Sequence, residues 1–148
     1  MGRARNGMPR VDFLGTGNAF SPPGRMHALA LIDDSILIDT PPTLLTQLRR
    51  SGFSGVDIKH ILFTHWHGDH NFGFPFLILD RKYISDREAG SSVDVYLRPG
   101  GIDVLESLCK LGFPGSLESL ENIIDWNESE HGKICLLYTS DAADDQLG

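Results

Sequence analysis

Three histidines and one aspartate lie within six residues of this chain, in the segment Thr64-His65-Trp66-His67-Gly68-Asp69-His70. The segment follows residues 60–63, an apolar stretch that is typical of a buried β-strand. His65 and His67 point to the same side of an extended segment, and the glycine after them permits a sharp turn toward Asp69 and His70. Imidazole nitrogen and carboxylate oxygen are ligands that zinc prefers. The segment therefore predicts a site for two metal ions at a strand end, and a solvated histidine-rich turn is the alternative.

The remaining pattern favours a layered α/β or α+β fold, because a strand meander is followed by alternating helices and strands. The expected elements are strands at 11–14, 27–32 and 36–39, a helix capped by Asp39 or Thr40, a strand at 60–63, a polar loop at 64–70, a helix at 73–82, a strand at 93–97, a helix ending at Gly112, and one or two helical turns at 114–120. In the helix that ends at Gly112, the residues expected to face inward are Ile102, Leu105, Leu108 and Leu111.

Charge and cysteine content exclude several classes of protein. Residues 1–120 carry 12 Lys and Arg against 13 Asp and Glu, so no broad basic surface for nucleic acid is expected. No apolar run reaches the roughly 18 residues of a membrane span. The two cysteines, Cys109 and Cys135, stand outside any C-x-x-C pattern, which favours a reducing compartment and a cytoplasmic location. Cys109 is expected to be a thiol of the core.

The two ends of the chain differ from its middle. Residues 1–9 are polar and are interpreted as a disordered leader, and residues 10–134 as one domain. Residues 135–148 resemble the translation of a transposon-end adapter used in DNA sequencing libraries, so we interpret them as a non-native tail. The alternative is a genuine acidic C-terminal tail.

Three stretches resemble a known family, the metallo-β-lactamase-fold hydrolases, in the branch that contains tRNase Z and cyclic-nucleotide-type phosphodiesterases. They are Phe13-Leu-Gly-Thr-Gly-Asn18, Ile36-Leu-Ile-Asp39-Thr40 and the segment Ile61–Gly73, which contains the H-x-H-x-D-H motif. The resemblance covers about residues 10–125. It implies the N-terminal half of an αββα sandwich with a two-zinc site at one edge.

The resemblance also implies roles for individual residues. His65 and His67 would bind the first zinc ion, and Asp69 and His70 would bind the second. Asp69 would in addition be catalytic, by handling a proton. Asp39 would stand behind the ligands and orient one of the histidines, and a helix N-cap is its alternative role.

The activity implied by the resemblance is hydrolysis of a phosphodiester, of RNA or cyclic-nucleotide type, by a metal-bound hydroxide. The sequence after Asp39 departs from the tRNase Z pattern, which favours a general phosphodiesterase over a tRNA endonuclease. Gly17 and Arg25 are candidates for contacting a substrate phosphate, although a loop arginine is more often simply solvated. The resemblance is also compatible with a homodimer.

Length separates the chain from that family, whose domain is longer and supplies another His, an Asp and a final His downstream. Four ligands leave two for each zinc ion, whereas catalytic zinc usually has three protein ligands. His131 is a candidate for a further ligand, although a polar turn is the favoured interpretation. We therefore expect a truncated chain that is inactive alone. Hydrolysis of thioester, lactam or arylsulfate substrates on the same fold is an alternative, and so is a non-catalytic metal-binding fragment.

Overall fold

The computed structural model describes residues 7–88 and 90–130, which form a six-stranded sheet with helices packed on one face. The strands are β1 (Val11–Gly15), β2 (Leu29–Ile32), β3 (Ile36–Ile38), β4 (His60–Leu62), β5 (Val93–Leu97) and β6 (Ile124–Glu128). Their order across the sheet is their order along the chain. The first three strands pair antiparallel and the last four pair parallel. The predicted α/β class is confirmed.

Within the described residues, four α-helices connect or follow these strands. They are α1 (Leu44–Arg50), α2 (Gly68–Asn71), α3 (Phe74–Asp80) and α4 (Gly101–Gly112). A 3₁₀ turn lies at Gly55–Asp57, and a π-helical turn at Arg81–Ser85 continues α3. Among the residues that the structure describes, no helix combines the length and apolar character needed to span a bilayer.

The core lies between the sheet and its helices. Leu31, Leu37, Ile61 and Val95 occupy matching positions on four neighbouring strands, and each is fully buried. The apolar side chains that cover them from the helices are Leu44, Leu48, Phe74, Leu77, Ile78, Leu105 and Cys109. Cys109 is a core thiol as predicted, and its burial, with a smaller contribution from Glu106, raises its pKa to about 12.

Two predictions about helices are wrong. Helix α1 begins at Leu44 with Thr43 in the N-cap position, not at Asp39 or Thr40, because the Asp39 carboxylate is bonded to a different part of the chain. Leu111 is 81% exposed. It lies about 120° from Leu105 around the helix, since six residues at 100° each bring it to another side.

Other predicted elements also differ from those in the structure. The predicted polar loop at 64–70 contains the short helix α2, in which the His70 N–H donates to the His67 carbonyl. Residues 114–120 form turns and bends rather than a helical turn. Strand β6 was not predicted, because Asp125, Asn127 and Glu128 are polar and the strand lies at the sheet edge. The predicted tail at 135–148, His131 and the first six residues of the predicted leader lie outside the described residues.

The parallel strands fix the place of the histidine segment. Strands β3, β4 and β5 run in the same direction, so the residues after them meet at one edge of the sheet. These residues are Asp39 after β3, Thr64 and the histidines after β4, and the turn into α4 after β5.

Candidate metal centre

A buried carboxylate, Asp39, holds the histidine segment to the end of β3. Its side chain accepts hydrogen bonds from the Thr64 backbone N–H at 2.8 Å and from the Thr64 hydroxyl at 2.6 Å. His70 Nδ1 lies 2.8 Å from the same carboxylate. Asp39 is only 3% exposed and has a φ of 66°, a left-handed conformation that Asp adopts more readily than most residues. The strained backbone at Asp39 thus places one buried carboxylate within hydrogen-bond distance of three donor groups.

These bonds determine which ring nitrogen of two histidines carries a proton. An ionised carboxylate only accepts, so His70 donates from Nδ1 and its Nε2 keeps a lone pair. The Thr64 hydroxyl has one hydrogen, which it gives to Asp39, and it therefore accepts from His65 Nδ1, 3.0 Å away. His65 Nε2 also keeps its lone pair. Both rings thus have the orientation in which Nε2 can bind a metal ion.

The lone pair of His70 faces another electron-rich atom. His70 Nε2 lies 3.2 Å from Asp69 Oδ2. Two acceptors at this distance repel unless a proton or a metal ion lies between them. Around a tetrahedral zinc ion with bonds of 2.0–2.2 Å, two such ligand atoms are separated by roughly 3.3 Å. The donor atoms of this pair therefore fit a divalent metal ion.

The three imidazoles of the motif form one cluster at the surface. The ring centres of His65 and His70 are 4.0 Å apart, and those of His65 and His67 are 4.8 Å apart. Within residues 7–88 and 90–130, no three His, Cys, Asp or Glu side chains are arranged to hold a single ion. The structure brings the four predicted ligands together, and the arrangement gives pairs of donors rather than a complete ligand set.

The residues around the motif are close-packed. Gly73 donates its N–H to the Thr40 carbonyl, and Thr40 donates its own N–H to the His70 carbonyl. A Cβ atom at Gly73 would overlap the carbonyl oxygen of Pro41. Trp66 stacks on Phe63 with ring centres 5.2 Å apart. The segment that carries the histidines is therefore anchored at both ends.

The other predicted site residues, Gly17 and Arg25, make their hydrogen bonds outside the motif. Gly17 pairs with His27 in an isolated bridge and donates its N–H to the Met26 carbonyl. Arg25 binds the hydroxyl and the carbonyl of Thr16. Among the described residues, no hydrogen bond or ion pair joins Gly17 or Arg25 to residues 64–70. The phosphate-binding role proposed for them stays a prediction.

Sequence reasoning missed one residue of the site. Thr64 links Asp39 to His65 through a single hydroxyl, yet it had been assigned no role. Its position, between a buried strand and the first histidine, was a usable signal. A small hydroxyl residue there is well placed to bridge a carboxylate and a ring nitrogen.

Comparison with known proteins decides the family. The model of one protein family, described as Anti-Pycsar protein Apyc1, matches residues 9–130. This chain belongs to the Apyc1 family. The match includes all six strands and the whole histidine segment, so the family relationship applies to the site as well as to the fold.

Relatives and solved structures agree with the metallo-β-lactamase fold of this Apyc1-family chain. The ribonuclease Z of Picrophilus torridus is 33% identical over 105 residues, which are 69% of this chain and 33% of that protein. The short form of human tRNase Z is 27% identical with a TM-score of 0.62, over 83% of this chain and 45% of that structure. The metallo-β-lactamase fold protein YhfI from Bacillus subtilis is 15% identical with a TM-score of 0.64, over 82% and 47%.

The predicted family resemblance and fold class are therefore confirmed. The matched segment of this chain spans about a third of the length of the curated relatives it matches.

Proposed function

We propose that this chain carries part of the metal centre of a zinc-dependent phosphodiester hydrolase. In this proposal His65 and His67 hold one ion, and Asp69 and His70 hold a second. The observation that carries the proposal is the hydrogen-bonded set in which Asp39 and Thr64 leave Nε2 of two neighbouring histidines free to bind metal. When bound, the ions supply Lewis acidity toward a phosphoryl group and make water a stronger nucleophile.

The chain's own residues have distinct tasks in this reaction. Asp39 orients His70 and keeps its proton on Nδ1, as residues behind metal-binding histidines commonly do. Asp69 lies beside His70, and its side chain is 16% exposed. The neighbouring residues therefore restrict the carboxylate, while part of it remains accessible to water. We assign it the acceptance of a proton from the attacking water. The remaining ligands would come from sequence that corresponds to the other two thirds of the relatives.

The relatives support a phosphodiester as the substrate class. Proteins named ribonuclease Z and tRNase Z are among them, and a ribonuclease hydrolyses the phosphodiester bonds of RNA. The substrate proposed here is an RNA or a cyclic nucleotide, with a general phosphodiesterase favoured over a tRNA endonuclease because Thr40-Pro41-Pro42 replaces the tRNase Z pattern. A cytoplasmic location and a homodimer belong to the same proposal.

Hydrolysis tests this proposal on the purified chain and on the longest natural reading frame that contains it. Each is stripped with a chelator, reloaded with Zn²⁺, and given bis-p-nitrophenyl phosphate, a cyclic mononucleotide and a thioester. We expect the longer protein to hydrolyse the phosphodiesters, and His65→Ala to lower that rate at least a hundredfold. A longer protein that cleaves only the thioester would contradict the substrate class, and a rate unaffected by His65→Ala would contradict the site.

Hydrolysis at a measured metal content separates this proposal from a non-catalytic metal-binding role. A longer protein with two tightly held zinc ions and no hydrolysis of any substrate would favour the non-catalytic role. Two ions with hydrolysis of the phosphodiesters would favour the enzyme.

A further inference from the structure

A cavity of about 380 Å³ opens beside the edge strand β1 and is not lined by any residue of the histidine motif. Two arginines, Arg25 and Arg50, line it together with the polar residues Thr16, Gln47 and Ser51. None of its ten lining residues is Asp or Glu. The cavity therefore has positive charge on its walls and no carboxylate to balance it.

One of these arginines is held in place by the protein. Arg25 donates from Nε and Nη2 to the hydroxyl of Thr16, at 3.3 and 3.1 Å, and from Nη2 to the Thr16 carbonyl at 3.2 Å. Among the described residues, Nη1 of Arg25 has no hydrogen-bond partner. The guanidinium is thus fixed along one edge and open at another, which suits an oxyanion that needs aligned donors.

The other arginine differs sharply from its neighbour in α1. The Arg49 side chain donates to Asp80 at 2.8 Å, whereas the Arg50 side chain makes no hydrogen bond or ion pair with any of the described residues. Arg50 lies in the last turn of α1, where a positive charge favours the helix dipole. Its side chain is exposed and lines the same cavity as Arg25. A bound anion would therefore be attracted by two positive charges in this cavity.

A buried side chain holds the two walls of the cavity together. Gln47 is 1% exposed and donates from Nε2 to the His27 carbonyl at 2.9 Å and to the Leu14 carbonyl at 3.3 Å. It joins α1, which carries Arg50, to the strand and loop on either side of Arg25. Phe13, at 72% exposure, adds an apolar surface to the cavity wall. The volume lies within the range of small-molecule sites.

We infer that this cavity binds a phosphomonoester of nucleotide size. Its phosphate is held by Arg25 and Arg50, and its organic part packs against the exposed ring of Phe13. The inference does not rest on the proposed hydrolase function, because the cavity uses no metal ligand.

Calorimetric titration of chelator-treated protein tests this inference, because phosphate cannot then bind through a metal ion. The probes are adenosine 5′-monophosphate, inorganic phosphate and adenosine. We expect the monophosphate to bind saturably, inorganic phosphate to bind at least fivefold more weakly, and adenosine not to bind. Arg25→Gln and Arg50→Gln should each weaken monophosphate binding about tenfold, since each removes charge-assisted hydrogen bonds.

Two matched variants complete the experiment. Lys110→Gln removes one positive charge from the last turn of α4, far along the chain, and should leave the affinity unchanged. Phe13→Ser should bring the affinity for the monophosphate down to that for inorganic phosphate. Absence of saturable binding would overturn the inference, as would equal losses for Lys110→Gln and Arg50→Gln. Equal affinities for the monophosphate and inorganic phosphate would overturn the inference that the ligand is of nucleotide size.

Discussion

Two buried charges, Asp39 and Arg81, connect distant parts of this chain in different ways. Asp39 is 3% exposed and Arg81 is 1% exposed. Arg81 donates from Nη1 to the carbonyls of Gly55 and Ile58, at 2.8 Å each, and from Nη2 to the Ser91 hydroxyl. Asp39 instead accepts from Thr64 and His70, and those residues lead to imidazoles at the surface.

The difference shows how to distinguish a structural buried charge from one that supports a site. The bonds of Arg81 end mainly on backbone carbonyls inside the protein, where they join the π-helical turn to the segment before β4. Burial lowers the pKa of Arg81, and the nearby Asp86 and Asp80 carboxylates oppose that shift. The bonds of Asp39, directly and through Thr64, fix the proton positions of two imidazole rings, the half-buried His70 and the exposed His65. Loss of Arg81 should therefore affect folding, and loss of Asp39 should affect metal binding.

The largest effect is expected for Arg81→Met, which leaves the Gly55 and Ile58 carbonyls without their donor. Each buried acceptor that loses its partner costs about 1–3 kcal/mol, so the free energy of unfolding should fall by about 3 kcal/mol or more. Urea unfolding measures this. Arg87→Met, at an exposed position, should change it by less than about 0.5 kcal/mol. A loss below about 1 kcal/mol for Arg81→Met would contradict the structural role of this buried charge.

The next effect is expected for Asp39→Asn. Asn tolerates the left-handed backbone at this position, but its NH2 group replaces one of the two accepting oxygens. That group then faces either the Thr64 N–H, or the Thr64 hydroxyl and His70 Nδ1, as donor against donor. Zinc affinity, measured by competition with a chelating dye, should fall about 10–100-fold, with less loss of stability than for Arg81→Met. Asp34→Asn is the matched control, since Asp34 also has a positive φ, of 63°, and lies in a distant turn. Equal zinc affinities for the two variants would show that Asp39 has no influence on the site.

A smaller effect is expected for Thr64→Val, which keeps the shape of the side chain and removes the bridging hydroxyl. His65 then loses the acceptor that holds its proton on Nδ1, so zinc affinity should fall about tenfold. Thr46→Val, at an exposed position of α1, should leave the affinity unchanged. If Thr64→Val binds zinc as tightly as the parent chain, the hydroxyl does not orient His65.

The smallest effect concerns His60, a buried histidine of β4 beside Asp94 and Tyr96. Burial lowers its pKa in the folded chain, Asp94 raises it, and Lys59 lowers it, with a net shift downward. The unfolded chain therefore binds more protons just below pH 6.5, and the stability contributed by the neutral ring is lost as pH falls through that value. Unfolding measured between pH 7.5 and 5.5 should lose less stability in His60→Gln than in the parent chain. An identical pH dependence in the variant and the parent chain would contradict the conclusion that the His60 ring is neutral in the folded chain.

The sequence predicts the parts of this molecule in which a local pattern and the tertiary environment agree. The alternating residues at 93–97 gave the strand correctly, and the H-x-H-x-D-H motif identified four residues that the structure brings together. Leu111 and Asp39 show where such reasoning fails. The exposure of Leu111 depends on which side of α4 packs on the sheet, and the bonds of Asp39 depend on a parallel strand that follows more than twenty residues later. Neither is a local property of the chain.

The role of Asp39 and Thr64 is tested most directly by the nitrogen spectrum of the imidazole rings, recorded with ¹⁵N-labelled histidine before and after addition of Zn²⁺. We predict that His65 and His70 carry their protons on Nδ1 in the metal-free chain, and that zinc shifts the Nε2 resonances of both. Protons on Nε2 in the metal-free chain, or zinc shifts at Nδ1, would contradict the role of Asp39 and Thr64 in preparing these histidines for metal.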